Sequence, residues 1–152
     1  MSTRLINILL VEDNPDHAEL VRRCMDRFPE ENLLCHVEDG EAALDYLFGR
    51  CNYADRMRFP VPDLVLLDLR LPRVDGLEVL RHVKNHPQLR RLNVVVLTTS
   101  DAERDVAAAF EYHANSYLTK PVDCERLGQL IRDLEFDRGV EPDPNKPENG
   151  KP

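Results

Sequence analysis

Residues 62–72 of this chain read PDLVLLDLRLP, and this stretch decides the fold. The apolar run in its middle is typical of a β-strand that is buried on both faces of a sheet. The run stops at Asp68, and a turn containing Pro72 follows. In open α/β sheets, ligands bind just outside the carboxyl ends of the strands, so a carboxylate there is a candidate for chemistry. An Asp in this place can also simply cap a turn, and the other strand ends decide between the two interpretations.

Strand-like and helix-like segments alternate along the rest of the chain. We predict further strands over 5–11, 33–37, 93–98 and 116–119. A helical pattern follows each strand, over 14–28, 40–48, from 76, over 100–113 and from 123. These five βα units predict an α/β fold: a doubly wound, five-stranded parallel sheet with helices on both faces and right-handed crossovers.

Length and composition limit what else the chain contains. Its 152 residues suit one domain with a proper core, which we assign to 5–137, and leave no room for a second catalytic or DNA-binding domain. Residues 138–152 are rich in Pro and polar residues and have almost nothing to bury, so we expect a disordered tail there.

The formal net charge of −8 bears on the choice of partners. Nucleic acid and anionic lipid would both be repelled by this charge, so we expect neither as a partner. No apolar run approaches the roughly 20 residues that span a membrane, and the chain does not start with a signal-peptide pattern. We therefore expect a cytoplasmic protein with no membrane attachment.

The cysteines give no sign of a metal or redox site. Cys24, Cys35, Cys51 and Cys124 have no short paired spacing. We expect four reduced thiols, mostly buried as small hydrophobic side chains.

Polar and charged residues that could take part in binding or catalysis also stand at the ends of other strands. Glu12 and Asp13 follow the first strand, Thr98 ends the fourth, and Lys120 follows the fifth. Carboxylates that converge on one rim repel one another unless a cation joins them, and an all-oxygen site suits Mg²⁺. A lysine and a threonine beside such a metal supply the counter-charge and the hydrogen bond that a phosphoryl group needs. Asp68 is then free to act as the nucleophile.

Each of these residues alone also fits a structural role. Glu12 and Asp13 could merely favour the N-terminus of the adjacent helix. Lys120 could be solvated, Thr98 could serve a turn, and Tyr117 could be an ordinary half-buried aromatic residue. The functional interpretation depends on their occurring together.

Four motifs taken in order resemble the receiver domain of two-component response regulators. They are LLVEDN at 9–14, LDLRLP at 67–72 with Asp75-Gly76 behind it, VLTT at 96–99 and YLTKP at 117–121. The resemblance covers about residues 5–137 and fills every signature position of the family. It implies a flavodoxin-like sheet with the strand order 2-1-3-4-5.

The resemblance also implies a function. Asp68 would accept a phosphoryl group from a phosphohistidine on a sensor kinase. Glu12, Asp13, Asp68 and the backbone carbonyl of Arg70 would arrange Mg²⁺, with Glu12 acting through water. Such a protein is a phosphoacceptor that assists its own phosphorylation and dephosphorylation, and turnover as an enzyme is not its purpose.

A conformational switch is implied as well. Lys120 would pair with one phosphoryl oxygen while Thr98 moves to bind another, and Tyr117 would then turn inward. The Lys120-Pro121 bond is expected to be cis. The signal would leave by contact, through a homodimer or a downstream partner at the surface of the fourth helix, fifth strand and fifth helix.

One connection departs from the commonest receiver. Residues 49–61 form a long link that includes Arg50, Tyr53, Arg56 and Phe59. Connections of this length are usually functional or disordered. With its flanking residues, the link resembles the stand-alone regulators of phytochrome-type sensor kinases, which suggests a photoreceptor kinase as the partner and leaves another sensor kinase as the alternative.

Three rival classes fit less well. A haloacid-dehalogenase-type phosphatase would need a second acid where Arg70 stands. A flavodoxin-like cofactor binder would hold phosphate in the first loop, where Glu12 and Asp13 would repel it. A pseudo-receiver would be expected to lack some acidic or lysine positions, and none is missing.

Overall fold

The computed structural model describes residues 5–29, 31–99 and 114–139, with side chains described as far as residue 134. Within these ranges the five strands form one all-parallel sheet in the order β2-β1-β3-β4-β5. The strands are β1 (Ile6–Val11), β2 (Asn32–Val37), β3 (Leu64–Asp68), β4 (Asn93–Thr98) and β5 (Ser116–Thr119). The predicted strand order and fold class are therefore confirmed.

Helices connect the strands and cover the sheet. They are α1 (Pro15–Arg27), α2 (Gly40–Leu47), α3 (Gly76–Lys84) and a C-terminal helix (Cys124–Gly139), with short 3₁₀ turns at Cys51–Tyr53 and Leu89–Arg91. The helix predicted over 100–113 lies outside the described residues. The predicted tail does too, apart from residues 138 and 139, which belong to the last turn of the C-terminal helix. No helix in the described ranges is both long and apolar enough to cross a membrane.

Alternate residues of the inner strands β1, β3 and β4 are buried on opposite faces of the sheet, as a doubly wound fold requires, whereas the edge strands β2 and β5 are more exposed. Helices α2 and α3 pack on one face, against the strand residues Leu9, Val11, Val65, Leu67, Val94 and Val96. Helix α1 and the C-terminal helix pack on the other face, against Ile8, Leu10, Leu66, Val95, Leu97 and Leu118. The run in β3 is apolar throughout because its side chains meet helices on both faces.

Local sequence explains why helices begin directly after strand ends. The Asn14 side chain accepts hydrogen bonds from the backbone N–H groups of Asp16 and His17, and Pro15 fills the first helical position. Asp39 caps α2 in the same manner, by accepting from the backbone N–H of Ala42, and the Asp75 side chain accepts from the N–H of Gly76 at the start of α3. The caps of α1 and α2 satisfy N–H groups that have no partner within the helix, so each helix can begin directly after its strand.

The prediction of four reduced cysteines was wrong. Cys24 of α1 and Cys124 of the C-terminal helix form a disulfide, with their Cα atoms 5.3 Å apart. Cys35 and Cys51 are free. The search for short spacings missed the pair because its members are 100 residues apart in sequence. They meet because both helices pack on the same face of the sheet.

The long link between α2 and β3 is ordered. Arg56 donates hydrogen bonds to the carbonyl oxygens of Tyr46, Leu47 and Phe59 at 2.8 to 3.1 Å. The rings of Tyr46, Tyr53 and Phe59 contact one another, with centroids 5.1 to 5.9 Å apart. The carbonyls at the end of α2 are thus satisfied by one guanidinium, which explains why a link of this length holds a fixed course.

Candidate phosphoacceptor site

A pocket of about 390 Å³ opens at the carboxyl ends of the strands. The five predicted residues whose side chains carry chemistry all line it: Glu12, Asp13, Asp68, Thr98 and Lys120. They converge because parallel strands end at one edge of the sheet. In the register, Asp68 of β3 lies beside Leu97, and Thr98 of β4 lies beside Thr119.

The Lys120 ammonium joins two buried carboxylates. Its Nζ atom is 2.8 Å from Oε1 of Glu12 and 3.1 Å from Oδ2 of Asp68. The side chains of all three residues are at most 9% exposed. A buried carboxylate needs a partner charge, so this lysine compensates much of the negative charge of the pocket.

Glu12 is the most deeply placed acid. Burial raises the pKa of Glu12, the adjacent Lys120 ammonium opposes the rise, and the charge of Asp68 adds to it. One oxygen, Oε2, accepts a hydrogen bond from the backbone N–H of Asn14 at 3.1 Å. The other, Oε1, is buried and faces Lys120 without a well-directed hydrogen bond.

These carboxylates fit a divalent cation. Glu12, Asp13 and Asp68 each offer one oxygen, and these three oxygens lie within 4.8 Å of one another. The poorly satisfied Oε1 of Glu12 is an oxygen that a metal-bound water could use. An all-oxygen donor set with few protein ligands suits Mg²⁺ better than a softer metal.

The backbone holds Asp68 in position. The N–H of Arg70 donates to Oδ1 of Asp68 at 3.2 Å, which leaves Oδ2 toward Lys120. Behind the strand, Gly76 comes so close that a Cβ atom there would lie 2.3 Å from the carbonyl oxygen of Asp68. Glycine is needed at this position because any side chain would push the end of β3 outward.

Thr98 and Tyr117 are the two residues that the resemblance assigns to a switch. Thr98 is buried, and its hydroxyl is 3.5 Å from the carbonyl oxygen of Thr99. The Tyr117 side chain is on the outside, with 38% of the residue exposed. The Lys120-Pro121 peptide bond is cis, as expected.

One pocket residue was missed from the sequence. His17, in the first turn of α1, places Nδ1 at 3.2 Å from Nζ of Lys120. The signal that could have found it is its position four residues after the acidic pair, one helical turn beyond the cap. Sequence alone could not show that this turn faces Lys120, which is 103 residues away.

Comparison with known proteins agrees with this geometry. A family model described as the response regulator receiver domain matches residues 8–132. Response regulator Rcp1 of Synechocystis is 41% identical over 128 residues, covering 84% of this chain and 85% of the relative. A probable methanogenesis regulatory protein of Methanothrix harundinacea, FilR2, is 44% identical over 127 residues, covering 84% and 79%.

Solved structures of similar proteins share the fold. The phosphorylated cyanobacterial phytochrome response regulator RcpA has a TM-score of 0.75 and 37% identity, covering 87% of this chain and 92% of that one. The Mn²⁺-bound form of Rcp1 has a TM-score of 0.72 and 41% identity, covering 86% and 91%. The family match over residues 8–132 includes every motif that surrounds the pocket, and the chain therefore belongs to the response regulator receiver domain family.

Proposed function

We propose that Asp68 accepts a phosphoryl group from the phosphohistidine of a sensor kinase. The observation that carries this proposal is the placement of Asp68 between a lysine ammonium at 3.1 Å and two further carboxylates. Asp68 lines the pocket, and its Oδ2, the oxygen beside Lys120, would attack phosphorus while the kinase histidine leaves. The same pocket would assist the later hydrolysis of the phosphoaspartate.

Mg²⁺ is the metal that we assign to this reaction. Glu12, Asp13, Asp68 and the backbone carbonyl of Arg70 would hold it, with Glu12 acting through water. When bound, the ion neutralises charge on the phosphoryl oxygens as the group is transferred. The donor set fits it, and a relative has been solved with Mn²⁺ bound.

The signal would arise from a change of partners around Asp68. In the proposed active state, Lys120 moves from the Asp68 carboxylate to a phosphoryl oxygen. Thr98 binds a second phosphoryl oxygen, and Tyr117 turns inward to fill the space that is left. The phosphoryl group contacts Lys120 and Thr98 only in the active state. This difference in contacts is sufficient to shift the population toward the active state.

The proposed partner is a phytochrome-type sensor kinase in the cytoplasm. Support comes from the similarity to RcpA and from the ordered link over 49–61. Another sensor kinase is the alternative. The test measures phosphotransfer from a purified phytochrome-type kinase in each of its two light states and compares it with transfer from a non-photoreceptor kinase. Faster transfer from the phytochrome-type kinase that depends on its light state would support the phytochrome assignment. Equal rates from both kinases and both light states would rule out the phytochrome assignment.

The output would leave through a surface contact. We propose that β5, the C-terminal helix and the helix predicted over 100–113 form a surface for a homodimer or a downstream partner. Tyr117 lies on β5, so its movement would alter this surface on phosphorylation. The negative charge of the chain remains the argument against nucleic acid as that partner.

Intact-mass analysis after incubation with acetyl phosphate tests the phosphoacceptor. We expect an adduct of one phosphoryl group that requires Mg²⁺, is lost at alkaline pH and is absent from Asp68→Asn. Asp26→Asn is the matched control, because Asp26 is an exposed acid on α1 outside the pocket, and it should be phosphorylated normally. An adduct that persists in Asp68→Asn would contradict the proposal.

A further inference from the structure

His17 lies at the phosphoacceptor pocket, yet the proposed transfer gives it no role. Its Nδ1 atom is 3.2 Å from Nζ of Lys120 and 3.8 Å from Oε2 of Glu12. The side chain is 39% exposed and lines the same pocket as the carboxylates, so the ring forms part of the outer rim.

The contact between His17 and Lys120 has one chemically allowed direction. An ammonium has three N–H donors and no acceptor, so Nδ1 of His17 must be the unprotonated, accepting nitrogen. This contact assigns the ring as the Nε2–H tautomer. Nζ therefore lies close to three acceptor atoms, Oε1 of Glu12 at 2.8 Å, Oδ2 of Asp68 at 3.1 Å and Nδ1 of His17 at 3.2 Å, and of these contacts the one with His17 has hydrogen-bond geometry.

The backbone that carries the imidazole is held in place by groups other than the lysine. The backbone N–H of His17 donates to Oδ1 of Asn14 at 3.2 Å, and Pro15 fixes the start of the helix. The next residue, Ala18, is buried against the sheet. The ring thus projects from a fixed first turn, whereas a lysine side chain has four rotatable bonds and loses much freedom when it is ordered.

We propose that His17 is a positioning residue for Lys120. Its Nδ1 holds one N–H of the ammonium on the α1 side, and the ammonium is thereby kept beside the carboxylates of Glu12 and Asp68. The inference rests on the proposed function, since Lys120 acts in transfer only if the phosphoryl group arrives on Asp68. An ammonium that is aimed before the reaction loses less freedom when it binds a phosphoryl oxygen, so transfer is faster.

The first test is the rate of phosphorylation by acetyl phosphate with Mg²⁺. His17→Ala should lower the rate constant by about five- to tenfold, the order expected for the net contribution of one ordinary hydrogen bond. His17→Asn keeps an acceptor atom bonded to Cγ, with Oδ1 in place of Nδ1, and should restore the rate to within about twofold. His82→Ala is the matched control, because His82 lies on α3, contacts Glu78 at 3.2 Å and does not line the pocket.

A second readout separates positioning from packing. The ¹⁵N resonance of Lys120 Nζ in the unphosphorylated protein should shift in His17→Ala and remain close to wild type in His17→Asn, while the melting temperatures of both stay similar. A wild-type rate in His17→Ala, or equal slowing in both variants, would overturn the proposal. Failure of the wild-type protein to accept phosphate would refute the proposed function instead, and the resonance would still test the contact.

Discussion

At the scale of single residues, the pocket depends on how one ammonium is shared. Lys120 contacts Glu12 and Asp68, the same carboxylates that would bind Mg²⁺. The lysine and the metal therefore compete for part of the same negative charge. Burial makes the competition strong, because both acids lie where water screens them poorly.

Replacement of Lys120 tests this competition. Lys120→Met should bind Mg²⁺ more tightly, by about tenfold in dissociation constant, since a loss of about 1.4 kcal/mol of charge repulsion corresponds to that factor. It should also lose the Tyr117 movement on phosphorylation. Isothermal titration measures the affinity, and Lys120→Arg, which keeps the charge, is the control. Weaker binding of Mg²⁺ by Lys120→Met would show that the lysine organises the carboxylates instead of opposing the metal.

At the scale of elements, caps and close contacts fix where each strand ends. Asn14, Asp39 and Asp75 stand at the starts of α1, α2 and α3, and Gly76 lets α3 approach the end of β3. The link over 49–61 is fixed in a different way, by one guanidinium on three carbonyl oxygens. This side chain adds to the 3₁₀ turn at Cys51–Tyr53, which is the regular secondary structure within the link.

Arg56→Ala should destabilise the protein by about 2–3 kcal/mol, because three carbonyl oxygens lose a charged donor. Urea unfolding measures the change. Arg58→Ala is the control: Arg58 is exposed and stacks over Phe59 at 5.1 Å, so its loss should cost less than about 1 kcal/mol. Equal costs for the two variants would mean that the hydrogen bonds of Arg56 do not hold the link.

At the scale of the whole molecule, a covalent bond joins the two helices that cover one face of the sheet. The Cys24–Cys124 disulfide closes a loop of 100 residues, so it restricts the unfolded chain strongly. It also ties α1, which carries His17, to the helix that follows Lys120. Disulfides are rare in the reducing cytoplasm. A cytoplasmic location therefore favours the reduced thiols, whereas the structure contains the disulfide.

The state of these cysteines can be counted directly. Alkylation of the denatured protein without reductant should modify two cysteines, Cys35 and Cys51, and all four after reduction. Reduction should lower the free energy of unfolding by about 2–4 kcal/mol. A variant with Cys35 and Cys51 both replaced by Ser should keep this response. Four alkylated residues in protein isolated without reductant would contradict the disulfide.

The sequence by itself determined the fold and most of the site. These parts follow from local features of the sequence, which are the apolar run of each strand, the helix-start residues Asn14 and Asp75, and the acid that ends β3. Because parallel strands all end at one edge, these local assignments were also enough to bring Asp68, Thr98 and Lys120 together.

Only the tertiary structure decided the contacts that span great distances in sequence. Cys24 meets Cys124, and His17 meets Lys120, across 100 and 103 residues respectively. Neither pair leaves a periodic or short-range signal, because each depends on how two elements pack on one face of the sheet. The course of the 49–61 link likewise required the position of Arg56 against the end of α2. Strand order and helix packing set the distances between these residues, so the distances are known only from the folded structure.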